Sequence, residues 1–329
     1  MLWISIFVFT IFNFINYPFF IMKIFYTSTI VLFLIFNFTL HSQPKVMNLW
    51  SGKIPGSIQS PLFHNEDTIK LEDGKTRIAR VSIPTLTIYF PQKKSSGTTA
   101  VICPGGGYIR LAIENEGADI AKWLNEYGVT VVILKYRLPN DTIMENKTVG
   151  PLQDVQETMR VLRRNAKEWN LNPNKIGVFG FSAGGHVAST LCTHYNDKVY
   201  DSDTTSARPD FSVLAYPVIT MNEINTHTGS RKYLLGKNPD PKLVAYFSSE
   251  LHVTKNTPPA FLVQAEDDKT VPVQNSIDYY TSLKNQNIPA ELHIYQKGGH
   301  GFGLGKNKGT VSQWPDACIK WLKEIGMID

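Results

Sequence analysis

The chain has 329 residues, 43% hydrophobic and 12% aromatic, enough to bury a sizeable core. Its net charge of +5 is spread without a long basic run, which argues against nucleic-acid binding. The three cysteines, Cys103, Cys192 and Cys318, are odd in number, far apart and lack C-x-x-C spacing. Neither a zinc site nor a disulfide scaffold is expected, and they read as buried small apolar residues.

Residues 1–40 contain one charged side chain, Lys23, among many Phe, Ile and Leu. Met22-Lys23, the apolar run Ile30 to Leu40 and the polar exit His41-Ser42-Gln43 have the layout of a secretory signal peptide. Met22 is then a candidate true start, and residues 1–21 are either upstream sequence or a first membrane helix. No cysteine near position 43 offers a site for a lipid on a new N-terminus. The expected division is a signal region over 1–42 and one globular domain over 43–329. Such a domain is secreted or periplasmic, has no stable membrane association after cleavage, and carries 32 basic and 28 acidic residues, a net +4. Membrane anchoring through the N-terminal hydrophobic segment is the alternative.

From Gln43 to about Pro91 the sequence is turn-rich and predicts a β-hairpin region with a strand at Thr85 to Phe90. Apolar runs then alternate with segments of helical period. Strands are expected at Ala100 to Cys103, Val129 to Leu134 and Ile176 to Phe179, with helices around Ala118 to Glu126 and Leu152 to Trp169. In the second helix Leu152, Val155, Met159, Leu162 and Ala166 fall on one face, and Pro151 and Asp154 suit its first turn. Further strands are expected at Phe211 to Tyr216, Ala260 to Gln264 and Glu291 to Tyr295, and further helices at Gln274 to Asn285 and Trp314 to Ile325. This alternation predicts an α/β fold with a mostly parallel central sheet and helices on both faces, without an internal repeat or second domain. The polar segment Thr220 to Asn256 has room for a lid or substrate-binding excursion with short helices.

Gly180-Phe181-Ser182-Ala183-Gly184 lies between the strand ending at Phe179 and a helix that begins Gly184-Gly185-His186. It is a G-x-S-x-G pattern in a strand-to-helix setting, where the glycines permit a strained turn that lifts the serine clear of the sheet. Cys103-Pro104-Gly105-Gly106-Gly107-Tyr108 directly follows another strand and lets the main chain approach a substrate as an oxyanion hole. It has neither the G-x-G-x-x-G nor the Walker pattern of a phosphate loop. The strand Ala260 to Gln264 ends in Ala265-Glu266-Asp267-Asp268, and Gly298-Gly299-His300-Gly301-Phe302 follows the last strand. Ser182 as nucleophile, one of the two aspartates and His300 as general base make a triad in the order Ser, Asp, His. The remaining histidines lack such surroundings. His186 is expected to pack or to support the site, and no pair has metal-ligand spacing. No metal or cofactor is expected.

On these motifs the chain, from about Trp50 onward, resembles the α/β-hydrolase esterase/lipase family. It is most similar to bacterial secreted acetyl esterases and acetylxylan esterases, a group in which the name xylanase is also in use. The resemblance also draws on Lys135-Tyr136-Arg137-Leu138-Pro139, Gly229-Ser230-Arg231 and Thr257-Pro258-Pro259. It implies an α/β-hydrolase catalytic domain over 43–329. It implies Asp268 as the triad acid, because a D-x-x-V-P stretch opens there, with Asp267 as the alternate. It also implies oxyanion donors at Gly106, Gly107 and Ala183, and substrate contacts at Tyr108 and Arg231. Pro104 stands where lipase-like relatives have a histidine, which argues against assuming their N-terminal cap. The implied activity is hydrolysis of short-chain esters, first of acetyl groups on xylan or other plant carbohydrates, with feruloyl or general carboxylesterase activity as the nearest rival. A prolyl-oligopeptidase-like peptidase and a non-catalytic binding protein are the more distant ones. A glycosidase needs two carboxylates flanking the sugar bond, and activity on deacetylated xylan is not expected.

Overall fold

The computed structural model of the protein describes residues 43–60, 66–71 and 74–329, so the expected signal region lies outside the described residues. Eight strands form the main sheet. In chain order they are β1 (Lys45–Asn48), β4 (Thr85–Tyr89), β5 (Thr99–Cys103), β7 (Thr130–Lys135), β8 (Ile176–Phe181), β9 (Ser212–Ala215), β10 (Ala260–Ala265) and β11 (Ala290–Tyr295). In space the order is β1-β4-β7-β5-β8-β9-β10-β11. The pairs β1/β4 and β4/β7 are antiparallel, and every pair from β7 to β11 is parallel. A separate antiparallel sheet joins β2 (Asp67–Lys70), β3 (Thr76–Ala79) and the two-residue β6 (Arg110–Leu111).

The parallel strands have near-continuous apolar sequences because both faces are covered. On one face Val101, Val132, Val178, Leu214 and Leu262 pack under α2 (Gly150–Arg164), α3 (Ala183–His194) and α6 (Gln274–Asn285). Their sequence neighbours Ala100, Ile102, Val131, Phe179, Val213 and Phe261 turn to the other face. There they meet α1 (Asp119–Asn125) and α7 (Trp314–Glu324) through Ile120, Leu124, Trp314 and Trp321. The two-residue period of a strand divides the core between the layers.

Most strands shift from expectation by one or two residues at an end, and two larger departures concern helices. The helix α2 ends at Arg164 rather than Trp169, because Asn165 turns its side-chain amide onto the Val161 carbonyl (2.8 Å) and the chain leaves helical geometry there. A π-helical turn, Glu114–Ala118, precedes α1. The excursion between β9 and β10 has short helices, α4 (Thr228–Leu235) and α5 (Pro241–Tyr246), and one 3-10 turn. All three cysteines are buried and free.

The geometry needed for chemistry follows from the parallel strands. Their C-terminal ends lie at one edge of the sheet, and the loops that leave β5, β8, β9, β10 and β11 converge there.

Candidate active site

Ser182 leaves β8 with φ 53° and ψ −121°, a left-handed conformation that a side-chain-bearing residue adopts only under local constraint. The constraint is close packing around it. A Cβ on Gly184 would lie 2.0 Å from the Cys103 carbonyl oxygen, and one on Gly180 would lie 2.5 Å from that of Gly184. The turn is further held by Ser182 N–H donating to Ala215 O (3.1 Å). Ser182 stands at the N-cap of α3, at the positive end of the helix dipole, and is 6% exposed.

His300 Nε2 lies 2.8 Å from Ser182 Oγ, and His300 Nδ1 lies 2.7 Å from Asp268 Oδ2. A carboxylate only accepts, so Nδ1–H donates to Asp268 and Nε2 is the acceptor for the serine hydroxyl. The other oxygen of Asp268 accepts from Thr270 N and Val271 N, each at 2.9 Å, which fixes the carboxylate plane. Asp267, the alternate acid, turns its carboxylate to the main chain just before His300. Its Oδ1 accepts from Gly298 N (3.0 Å) and Gly299 N (2.8 Å), so it holds the turn that presents His300. Those two bonds, with Lys297 nearby, keep its carboxyl below the usual range.

Gly106 and Gly107, with φ of 129° and 67°, run along the edge of a cleft of about 500 Å³ that also contains Ser182 and His300. An added Cβ on Gly106 would lie 2.1 Å from Arg110 O, so only glycine fits. Ala183 is the first residue of α3, and its N–H has no intrahelical acceptor. From the β9–β10 excursion come His227, Gly229 and Tyr233, and Lys75, Arg77, Arg110 and Lys308 also line the cleft. His227 Nδ1 accepts from Ser230 N (3.2 Å), and burial and the proximity of His300 lower its pKa. Among the described residues no group of three or more His, Cys, Asp or Glu side chains could hold a metal ion.

Two expected substrate contacts are not brought to this cleft. Tyr108 is 2% exposed, has φ 63°, and its ring is buried with the hydroxyl 2.7 Å from His186 Nδ1. Arg231 lies in a separate surface depression, with Nε donating to Met221 O (2.9 Å). His186, expected to pack or support, is buried with Nε2 against Phe247 O (2.8 Å), and burial lowers its pKa to about 4. The Tyr136-Arg137 pair has a supporting place as well. Tyr136 OH donates to Pro104 O (2.7 Å), and Arg137 forms a buried ion pair with Asp154 (2.9 Å).

Sequence reading did not single out Glu116 or name the role of Tyr216. Glu116 sits on the π-helical turn, buried, with Oε2 accepting from Gly105 N (2.7 Å) and Oε1 accepting from Tyr216 OH (3.0 Å). Tyr216 has φ 38°, and its ring meets that of His300 edge to face at 5.1 Å. Glu116, one of two glutamates in Glu114-Asn115-Glu116, has no local signal that could have identified it.

A profile of the BD-FAE family matches residues 86–283. The chain is 38% identical over 262 residues to an acetylxylan esterase of Xylanibacter ruminicola, covering 77% of this chain and 49% of that protein. It is 34% identical over 230 residues to endo-1,4-beta-xylanase B of Butyrivibrio fibrisolvens, covering 69% of this chain and 36% of that protein. The chain thus spans about half, or less, of the curated relatives it matches. The crystal structure of an acetyl ester-xyloside bifunctional hydrolase from Caldicellulosiruptor lactoaceticus superposes with TM-score 0.75 at 36% identity. The superposition covers 88% of this chain and all (100%) of that one.

Proposed function

Because the chain belongs to the BD-FAE family of α/β hydrolases, we propose that it is a serine esterase that removes short acyl groups, first acetyl groups on xylan or related plant carbohydrates. The observation that carries the reading is the hydrogen-bonded series Ser182, His300, Asp268, which opens on the cleft beside the glycines that follow β5.

In this reading His300 Nε2 takes the Ser182 proton as Oγ attacks the ester carbonyl, and Asp268 steadies the resulting imidazolium. The carbonyl π electrons move onto oxygen, where the N–H groups of Gly106, Gly107 and Ala183 receive them. Collapse expels the alcohol, which takes the proton from His300 and leaves an acyl group on Ser182. Water, activated by the same imidazole, repeats the addition and releases the acid. The donors act at the position where charge develops, so they stabilise the transition state more than the ground state.

The substrate class draws its support from the similar proteins. One is an acetylxylan esterase and another an acetyl ester-xyloside hydrolase. The reading of 1–42 as a signal region and of 43–329 as the catalytic domain is part of the same proposal. It places the enzyme outside the cytoplasm, where plant polysaccharide is met. Among the described residues no helix is long and apolar enough to cross a membrane.

The test is a substrate panel on the protein beginning at Gln43. Acetylated xylo-oligosaccharides and p-nitrophenyl acetate should be cleaved faster than octanoyl and feruloyl esters, and Ser182→Ala should reduce turnover by about three or more orders of magnitude with the fold intact. Wild-type-like hydrolysis by folded Ser182→Ala overturns the mechanism. A preference for octanoate or for feruloyl esters overturns the substrate class.

A further inference from the structure

We propose that Glu116 is a positioning residue that ties the oxyanion loop to the loop bearing His300, so that the two halves of the site move as one. This rests on the esterase reading above.

Three elements meet at this carboxylate. It accepts from Gly105 N–H at 2.7 Å, at the peptide that leads into Gly106 and Gly107. It accepts from Tyr216 OH at 3.0 Å, and Tyr216 oxygen in turn accepts from Gly303 N at 3.1 Å, three residues beyond His300. The Tyr216 ring lies 5.1 Å from the His300 ring and 4.5 Å from that of Phe302. Trp314 Nε1 closes the far side by donating to Gly303 O at 2.9 Å.

The contact leaves little room for alternatives. A Cβ on Gly105 would lie 2.7 Å from Glu116 Oε2 and 2.7 Å from the Ser182 Cβ, so the carboxylate and the nucleophile both pack closely against the loop. A buried carboxylate without donors is strongly disfavoured, and here each oxygen has one. The π-helical turn that presents it is a geometry frequently found at functional sites. Burial pushes the Glu116 carboxyl up, while its two hydrogen bonds and the charges of His300 and Arg77 pull it back.

Glu116→Gln retains an acceptor for Gly105 N–H but turns an amide donor onto Tyr216 oxygen, so the tyrosine hydroxyl loses its acceptor. Tyr216→Phe cuts the link to Gly303 and leaves the Gly105 bond in place. With p-nitrophenyl acetate, Glu116→Gln should lower kcat by about 10- to 100-fold while KM changes by less than about threefold, because binding precedes the alignment that is lost. Tyr216→Phe should lower kcat by a smaller factor, and the double variant should fall short of the product of the two, as expected for one connected network.

Urea unfolding establishes that each variant is folded. A folded Glu116→Gln enzyme with kcat within about twofold of wild type, or two losses that multiply independently, overturns the proposal. If Glu116→Gln does not fold, Tyr216→Phe decides alone, and kcat within about twofold of wild type overturns it. Wild-type protein that hydrolyses no more ester than Ser182→Ala overturns the esterase reading, and the proposal with it. Full wild-type activity beside an unaffected Glu116→Gln overturns the positioning role alone.

Discussion

Gly184→Ala tests whether the nucleophile turn and the oxyanion loop are in the contact described. The added Cβ would lie 2.0 Å from Cys103 O and 2.5 Å from Pro104 O, both backbone atoms that cannot swing aside like the tip of a side chain. An unstrained contact needs about 3.5 Å, so loop and turn must separate by about 1 Å or more. Overpacking of this kind costs about 1 to 3 kcal/mol of stability. A displacement of about 1 Å between nucleophile and oxyanion donors costs about 100-fold in rate, equivalent to about 2.7 kcal/mol of transition-state stabilisation. The variant should therefore unfold at lower urea and lose about two orders of magnitude in kcat/KM for p-nitrophenyl acetate. Gly52→Ala is the control, because its Cβ meets nothing within 4 Å. A Gly184→Ala enzyme with the wild-type urea midpoint and kcat/KM refutes the reasoning, since the two loops could not then be packed as described.

The two aspartates should separate kinetically. Asp268→Asn keeps its oxygen on Thr270 N and Val271 N, turns an NH2 toward His300 Nδ1 in place of the acceptor, and should lower kcat by about 10³- to 10⁴-fold, whereas Asp267→Asn, which acts on the Gly298–Gly299 turn, should cost about tenfold. Equal losses would mean that the acid is not assigned correctly. His186 has a folded pKa of about 4 against an ordinary 6.5, so the unfolded chain takes up a proton there that the fold refuses. Its contribution is present above pH about 6.5 and is lost as pH falls toward 4, by about 3 kcal/mol. Urea unfolding at pH 7.5 and 4.5 should therefore show a larger loss for wild type than for His186→Gln, and equal losses would contradict the burial argument. Removing Asp154 leaves the buried Arg137 guanidinium uncompensated, and Asp154→Ala should cost about 3 to 5 kcal/mol in urea unfolding. A loss below about 1 kcal/mol would show that the pair is reached by water.

The parallel sheet was legible because strands covered on both faces have apolar sequences that stand out between amphipathic helices. The strand ends were less so. Phe181 belongs to β8 although it lies inside the G-x-S-x-G pattern, and Tyr216 leaves β9 at a positive φ that nothing in its neighbours announces. The contact between Ser182 and His300 was foreshadowed by flanking glycines that permit a turn or a close approach, a constraint written locally. The acid was not, because Asp267 and Asp268 are adjacent carboxylates in the same turn. In the structure Asp267 turns to the Gly298 and Gly299 N–H groups and Asp268 to His300, a division set by the turn's backbone. Composition alone does not say which of the pair meets the imidazole.

That Tyr108 and Arg231 lie away from this cleft was illegible for a related reason. Resemblance fixes where a stretch lies along the chain, but not which way a side chain turns from it. Tyr108, directly after Gly106 and Gly107, has a positive φ and is buried with its hydroxyl on His186, away from the cleft. Glu116 was illegible in a deeper sense. Its two partners lie 11 and 100 residues away, and the second contact exists only because β5 and β9 flank β8 in the sheet. Local motifs supply the groups that react, and the strand order supplies the groups that hold them. A sequence therefore discloses the first more readily than the second. The decisive measurements are accordingly on residues without a motif, Glu116 and Tyr216, where a loss in kcat at nearly constant KM separates alignment from folding and from binding.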